Sequence, residues 1–467
     1  MKRSKDNNKF HTVDLFAGAG GATQGFSQEG FEPLFANDHE EPALATFQHN
    51  HPECKTSSAD IESIDPSELR LSLNLKPGEL DVLLGGPPCQ GFSTYGKRDP
   101  SDYRNGLYQY YLKFLKEFRP KAFVIENVTG MLTLADGKII DDIKEQASAL
   151  GYGVDLWVLD AADYGVPQFR KRVFITGGSA GQVLDKPVAT HAGGDRNEDV
   201  QQLLLKGTGK KTLKRALTVR NAISDLPEEV LPPRQTQQPM KYKSSKALTE
   251  YQEFIRGTSE ILLHHSAKQM LGIRRLRLAL LRPGDYGTSI SSRLTQDGLP
   301  DEVIDELLNG NCALRDMSEC RSEDREKELE LRAFLKSGHK RVEDVLEWLD
   351  SKGFANKYRR LLWDSPSHTL VAHMARDCSD FVHPDIDRFI SVREAARLQS
   401  FPDNYLFKSS QFQQFRQIGN AVPPLLAAAV AGSVAKFLGR PSRNSQPDNG
   451  QKDLVGKMDQ LQISGVH

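Results

Sequence analysis

The sequence predicts an α/β protein: an open, doubly wound parallel sheet joined to a second, smaller domain of irregular structure. Three observations predict it. Over residues 12–178 short apolar runs end in glycine, proline or an acid and alternate with amphipathic helical stretches. The first run turns through glycines straight into a helix, the opening of a nucleotide-binding sheet. After Gly178 the alternation stops, and no compact pattern returns before about residue 360.

In order, Thr12-Val13-Asp14-Leu15-Phe16 reads as a strand and Ala17-Gly18-Ala19-Gly20-Gly21 as the turn that opens a helix. The dinucleotide fingerprint GxGxxG fails, because Thr23 stands at its third glycine. Leu34-Phe35-Ala36-Asn37-Asp38 is a second strand ending in a carboxylate, either a ribose acceptor or a solvated loop acid. Asp60-Ile61 sets an acceptor beside an apolar side chain. Asp81-Val82-Leu83-Leu84 is a buried strand that breaks on Gly85-Gly86-Pro87-Pro88, which leaves Cys89 just past a strand end. A lone cysteine is more often a small buried hydrophobe than a nucleophile, so Cys89 alone decides nothing. Residues 94–104 are polar and suit a mobile lid.

Tyr108, Tyr111, Leu112, Leu115 and Phe118 recur at helical spacing as a core stripe. Ala122-Phe123-Val124-Ile125 is a further strand, with Glu126 on the rim that carries Cys89, since parallel strands present their carboxyl ends together. A helix over residues 139–150 follows, and Val173-Phe174-Ile175-Thr176 closes the block as another strand of the parallel sheet. Residues 206–246 are basic, a composition that fits a solvated face or a phosphate track. Residues 318–349, dense in both charges, read as exposed helices. Val392-Arg393-Glu394-Ala395-Ala396-Arg397-Leu398-Gln399 is a helix, and Gly419-Asn420-Ala421-Val422-Pro423-Pro424 turns into an Ala/Leu-rich helix ending near Leu438.

Composition bounds the rest. A chain of 467 residues holds two or three domains, and a net charge of −1 requires any polyanion-binding surface to be local. Five cysteines at irregular spacing, none in CxxC, argue against a disulfide framework or a zinc site and for a reducing compartment. Residues 1–8 lack the apolar core of a signal peptide, and the most apolar run, residues 425–434, is short of membrane-spanning length. A soluble cytoplasmic protein is expected.

Together and in this order, these residues resemble the DNA cytosine-5 methyltransferases, over roughly residues 13–178 and 357–438. Asp14-Leu15-Phe16-Ala17-Gly18-Ala19-Gly20-Gly21 is similar to that family's S-adenosyl-L-methionine loop, and Asp38 and Asp60-Ile61 to its ribose and adenine positions. Pro87-Pro88-Cys89-Gln90 resembles its nucleophile loop, Glu126-Asn127-Val128 its catalytic acid, and Gln168-Phe169-Arg170-Lys171-Arg172 its paired arginines. The Arg393–Gln399 segment resembles the scaffold of its recognition domain, and Gly419–Pro424 the returning segment that closes the cofactor pocket. His39 departs, standing where many members place a tryptophan against the adenine.

The resemblance implies a Rossmann-like methyltransferase sheet in residues 1–180, completed by residues 413–440. It further implies a target-recognition domain and hinge in residues 181–412, ahead of a disordered tail, residues 441–467. It implies a cofactor site lined by Phe16, Ala17, Gly18, Gly20, Gly21, Asp38, His39, Asp60 and Ile61, with Gly86, Pro88, Leu107, Asn420 and Ala421, and no metal. Cys89 is then the nucleophile that adds to cytosine C6, Glu126 the acid at N3, and Arg172, with Arg170 near it, the group that binds the base carbonyl. Gln90, Ser93 and Arg293 are expected to touch DNA, with most base readout in residues 286–355. Double-stranded DNA is the implied partner, a companion restriction endonuclease a further one, and the monomer the default state. Three rivals are weighed against this. A transfer-RNA methyltransferase usually has a shorter recognition region than the segment between Arg172 and Trp363. A catalytically dead regulator is opposed by intact Cys89, Glu126, Arg170 and Arg172, and a nicotinamide oxidoreductase by the glycine spacing.

Overall fold

The structure is a computed structural model that describes residues 9–88, 106–192, 213–268 (without 245), 278, 280–284, 333, and 358–440 (without 377). The side chains of residues 134–136 are not described. The expected lid, the charged stretch 318–349 and the readout segment 286–355 except for residue 333, and the tail 441–467 lie outside these residues.

Seven strands form the main sheet: β1 (Phe10–Leu15), β2 (Phe31–Asn37), β3 (Lys55–Ser57), β4 (Val82–Gly85), β5 (Ala122–Val128), β6 (Gly153–Asp160) and β7 (Lys171–Gly178), in the order β3-β2-β1-β4-β5-β7-β6. The order reverses between β1 and β4, so their carboxyl ends face a crevice. Period-two alternation explains both buried faces. Leu83, Phe123, Ile125, Val173 and Ile175 meet helices α3 (Pro66–Ser72), α4 (Tyr108–Phe118) and α5 (Lys138–Ala149) through Leu69, Tyr111, Phe118 and Ile143. Val82, Leu84, Val124 and Phe174 meet α1 (Gly21–Gln28) and the returning helix Pro424–Phe437 through Phe26, Leu426, Val430 and Val434.

The all-parallel expectation is corrected at one edge. β7 runs antiparallel to both β5 and β6. The ten residues between β6 and β7 are too few for a crossover, so β7 turns back and inserts beside β5. The sequence reading also passed over β6 and β3, one a partly exposed edge strand and the other a three-residue polar strand.

The second core joins side chains from residues 219–281 to others from residues 358–421. At its centre the helix Val392–Leu398 has every residue buried, arginines and glutamate included. Its charges are paired: Arg397 reaches Asp225 at 2.5 Å and Asp403 at 2.6 Å, and Arg388 forks onto Glu394 at 2.8 Å. A Ser391–Glu394 capping box starts it. Among the described residues one stretch, Gln411–Phe437, is long and apolar enough to cross a membrane, against the sequence expectation; 83% of its apolar window is buried inside the protein. It is two helices, broken where Ala421 turns extended before Pro423.

Candidate active site

The crevice begins where β1 ends. Phe16 (φ 60°), Gly18 (φ 58°) and Gly20 (φ 88°) are all left-handed, a turn that Phe16 adopts against its steric preference. Hydrogen bonds over-determine it: Ala17 N–H donates to the Asn37 carbonyl at 2.9 Å, and Gly18 N–H to Asp38 Oδ2 at 2.7 Å. Gly21 opens α1 so close to the returning segment that a Cβ would lie 2.3 Å from the Val422 carbonyl oxygen.

Around this loop stand most of the expected cofactor residues. Asp38, just past β2, also accepts from Glu40 N–H at 2.8 Å, and burial raises its pKa. His39 is 68% exposed beside it, within 3.5 Å of Glu40. Asp60 is exposed and caps the short turn that follows β3 through Glu62 N–H. Ile61 and Leu107 are buried in one apolar cluster, with Phe16 against it. Gly86, past β4, donates to the Leu15 carbonyl at 3.2 Å, and Pro88 is half-buried. Asn420 is exposed at the end of the helix Gln411–Asn420, and Ala421 is buried beside it.

The other wall of the crevice carries the acid. β4 ends in register with Ile125, so Glu126 is the first residue of β5 beyond it, with Oε2 3.5 Å from where a Gly86 side chain would begin. Arg172 comes from antiparallel β7, paired with Val128, and its Nε donates to Glu126 Oε1 at 2.9 Å. Burial raises the Glu126 pKa, with Arg172 and then Arg170 pulling against it. The reversed direction of β7, which the sequence reading missed, is what brings Arg172 to this end of the sheet.

Arg170 is placed differently from Arg172. It is 1% exposed and donates to three carbonyls: Leu370 at 2.5 Å, Gly419 at 2.9 Å and Ala421 at 3.0 Å. Its Nη atoms are thus engaged in tying β7 to the returning segment, and it reaches Glu126 through its charge. Asn127, which carried no assigned role, donates to the Pro87 carbonyl at 2.8 Å and anchors the base of the loop that leads to Cys89. Gln399 Nε2 bonds the Ala421 carbonyl, and Gln168 bonds Gln399 and Leu370 N–H, locking the same junction. Cys89, Gln90, Ser93 and Arg293 lie outside the described residues.

Comparison with known proteins identifies the family. A sequence model described as C-5 cytosine-specific DNA methylase matches residues 10–436. The type II methyltransferase M.AgeI of Thalassovita gelatinovora is 59% identical over 91% of this chain and 98% of its own. M.DdeI of Desulfomicrobium norvegicum, another type II methyltransferase, is 31% identical over 91% and 88%. A crystal structure of a putative prophage-encoded DNA modification methyltransferase from E. coli has the same fold, with a TM-score of 0.64 at 22% identity, covering 92% of this chain and 100% of that one. The chain belongs to the C-5 cytosine-specific DNA methylases and is a DNA cytosine-5 methyltransferase.

Proposed function

We propose that the enzyme methylates C5 of a cytosine flipped out of duplex DNA, through a covalent bond between Cys89 and C6. We further propose that, as a monomer in the cytoplasm, it protects a specific sequence from a companion restriction endonuclease. The observation that carries this reading is the Glu126–Arg172 pair on the rim reached by the β4 loop that leads to Cys89.

Cytosine C5 is too electron-poor to accept a methyl group. Addition of the Cys89 thiolate to C6 forms a C–S bond and moves the ring electron pair toward C5. Glu126, whose pKa burial raises, donates a proton to N3 as charge develops there and accepts from the exocyclic amino group. Arg172 has further N–H groups to offer the base carbonyl while Nε holds Glu126. Loss of the C5 proton to a base then expels Cys89 and restores the aromatic ring. Because C6 is covered in a stacked duplex, the base must leave the helix.

The residues at the β1–β4 ends fit S-adenosyl-L-methionine. Space is open within 4 Å above Gly18, and Asp38 spends one lone pair of each oxygen on backbone N–H, leaving others for ribose hydroxyls. Asp60 is exposed, a carboxylate able to accept from an adenine amino group, with buried Ile61 beside it. When bound, the cofactor supplies the methyl group from a sulfonium and leaves as S-adenosyl-L-homocysteine. The test is transfer of a tritiated methyl group to duplex DNA and to transfer RNA. Label at C5 of cytosine in duplex DNA at one recurring sequence is expected; label confined to transfer RNA would contradict the duplex reading.

A further inference from the structure

The cofactor loop is also held from beneath by the recognition side of the molecule. Tyr405, 2% exposed, donates its hydroxyl to the Ala19 carbonyl, 386 residues away in sequence. A Cβ at Gly20 would meet the same hydroxyl oxygen at 2.7 Å and Phe47 at 2.8 Å, so the loop rests directly on the ring. Tyr405 is itself fixed. Its carbonyl accepts from Arg393 Nη2 at 3.1 Å, and its N–H donates to the Pro402 carbonyl. Between them Asp403 is clamped by Arg397, which also grips Asp225; Asp225 in turn pairs with Arg256 at 2.6 Å. One bonded chain thus runs from the 219–256 segment through the helix Val392–Leu398 to the peptide between two left-handed loop residues, Gly18 and Gly20.

We propose that Tyr405 is a positioning residue for the cofactor: it holds Ala19 and Gly20 in the strained turn that S-adenosyl-L-methionine needs, and so makes cofactor affinity depend on the recognition-side scaffold. This rests on the reading of the glycine loop as the cofactor site. The bonds from Ala17 N–H to Asn37, Gly18 N–H to Asp38, Gly20 N–H to Ala17 and Gln24 N–H to Gly20 all lie within the sheet, the loop or α1. Among the described residues, the Tyr405 bond is the one that arrives from the other core. Removing it leaves the Ala19 carbonyl without its donor and lets a left-handed turn relax when no ligand holds it.

The experiment is calorimetric binding of S-adenosyl-L-homocysteine to full-length Tyr405→Phe, Tyr152→Phe and Asp38→Ala, with thermal melts of each unliganded protein. Tyr152 supplies a matched control, since its buried hydroxyl donates to the Pro120 carbonyl at 2.7 Å, outside the bonded chain. Tyr405→Phe should weaken binding by about tenfold, the usual effect of one buried hydrogen bond. Its kcat at saturating cofactor should stay within about twofold, so that KM for the cofactor carries the loss. Tyr152→Phe should lower the melting midpoint without moving the affinity. Affinity unchanged in Tyr405→Phe while Asp38→Ala binds weakly would overturn the positioning role alone. Wild-type affinity in Asp38→Ala would overturn the cofactor-site reading beneath it.

Discussion

At the scale of single residues, two buried acids make pH-dependent effects that can be measured one at a time. In the proposed reaction Glu126 acts as the acid, so activity should fall as pH rises through its raised pKa. The charge of Arg172 opposes that rise, and Arg172→Gln should therefore move the alkaline limb of the kcat–pH profile to higher pH while lowering its plateau. A limb that stays in place or moves down would remove Glu126 from the reaction. Glu126→Gln should lower kcat by roughly a hundredfold or more, the range of a positioned acid. Asp14 is the other case. It lies behind the loop, 2% exposed and bonded by the Thr23 hydroxyl at 2.6 Å, and burial lifts its pKa from 3.8 to about 7. The folded protein therefore keeps a proton on Asp14 that the unfolded chain releases, and this group's contribution to stability falls as pH rises from about 4 to 7. The cost approaches about 4 kcal/mol, three pKa units at 1.36 kcal/mol each. Asp14→Asn should match wild type in urea unfolding at pH 4 and exceed it at pH 7.5; equal stability at both would remove the burial penalty.

At the scale of elements, α1 and the returning helix form the contact that closes the cofactor side. Gly25 sits in it without room for a methyl: a Cβ would come within 2.3 Å of the Pro424 carbonyl oxygen and 2.5 Å of Ala427 Cβ. Helix propensity alone would make Gly25→Ala stabilising by about 1 kcal/mol. Backbone cannot yield as a side-chain tip can, so overpacking of about 1–3 kcal/mol should win. A lowered melting midpoint checks this. The elements that sequence alone identified were those with an undiluted period. Leu83–Leu84, Phe123–Ile125 and the Tyr111–Phe118 stripe face apolar layers, and their patterns are clean. β3 has no apolar residue to announce it, and the direction of β7 is set by the length of a loop, which no periodicity records.

At the scale of the molecule, the two cores meet at a junction that sequence hides because its partners are hundreds of residues apart. Glu126 and Arg172 were legible from the company their motifs kept. Arg170 was read as part of the base site, whereas its donors go to Leu370, Gly419 and Ala421. Arg170→Met should leave three carbonyls without that donor and loosen the returning helix, costing on the order of 3 kcal/mol or more. Faster proteolysis within residues 411–440 would report it; an unchanged digestion pattern would contradict the structural role. Tyr405 carried no sequence signal at all, since nothing local marks a tyrosine that bonds Ala19. The account as a whole stands on Cys89 attacking C6. The most direct measurement is incubation with S-adenosyl-L-methionine and a duplex whose target cytosine carries fluorine at C5. After methyl transfer C5 then has no proton to lose, so Cys89 cannot be expelled. Wild type should form a denaturant-stable enzyme–DNA adduct with cysteine 89 joined to the base, and Cys89→Ala should form none. An adduct of equal yield in Cys89→Ala, or methylation of ordinary duplex by wild type with no adduct on the fluorinated one, would contradict it.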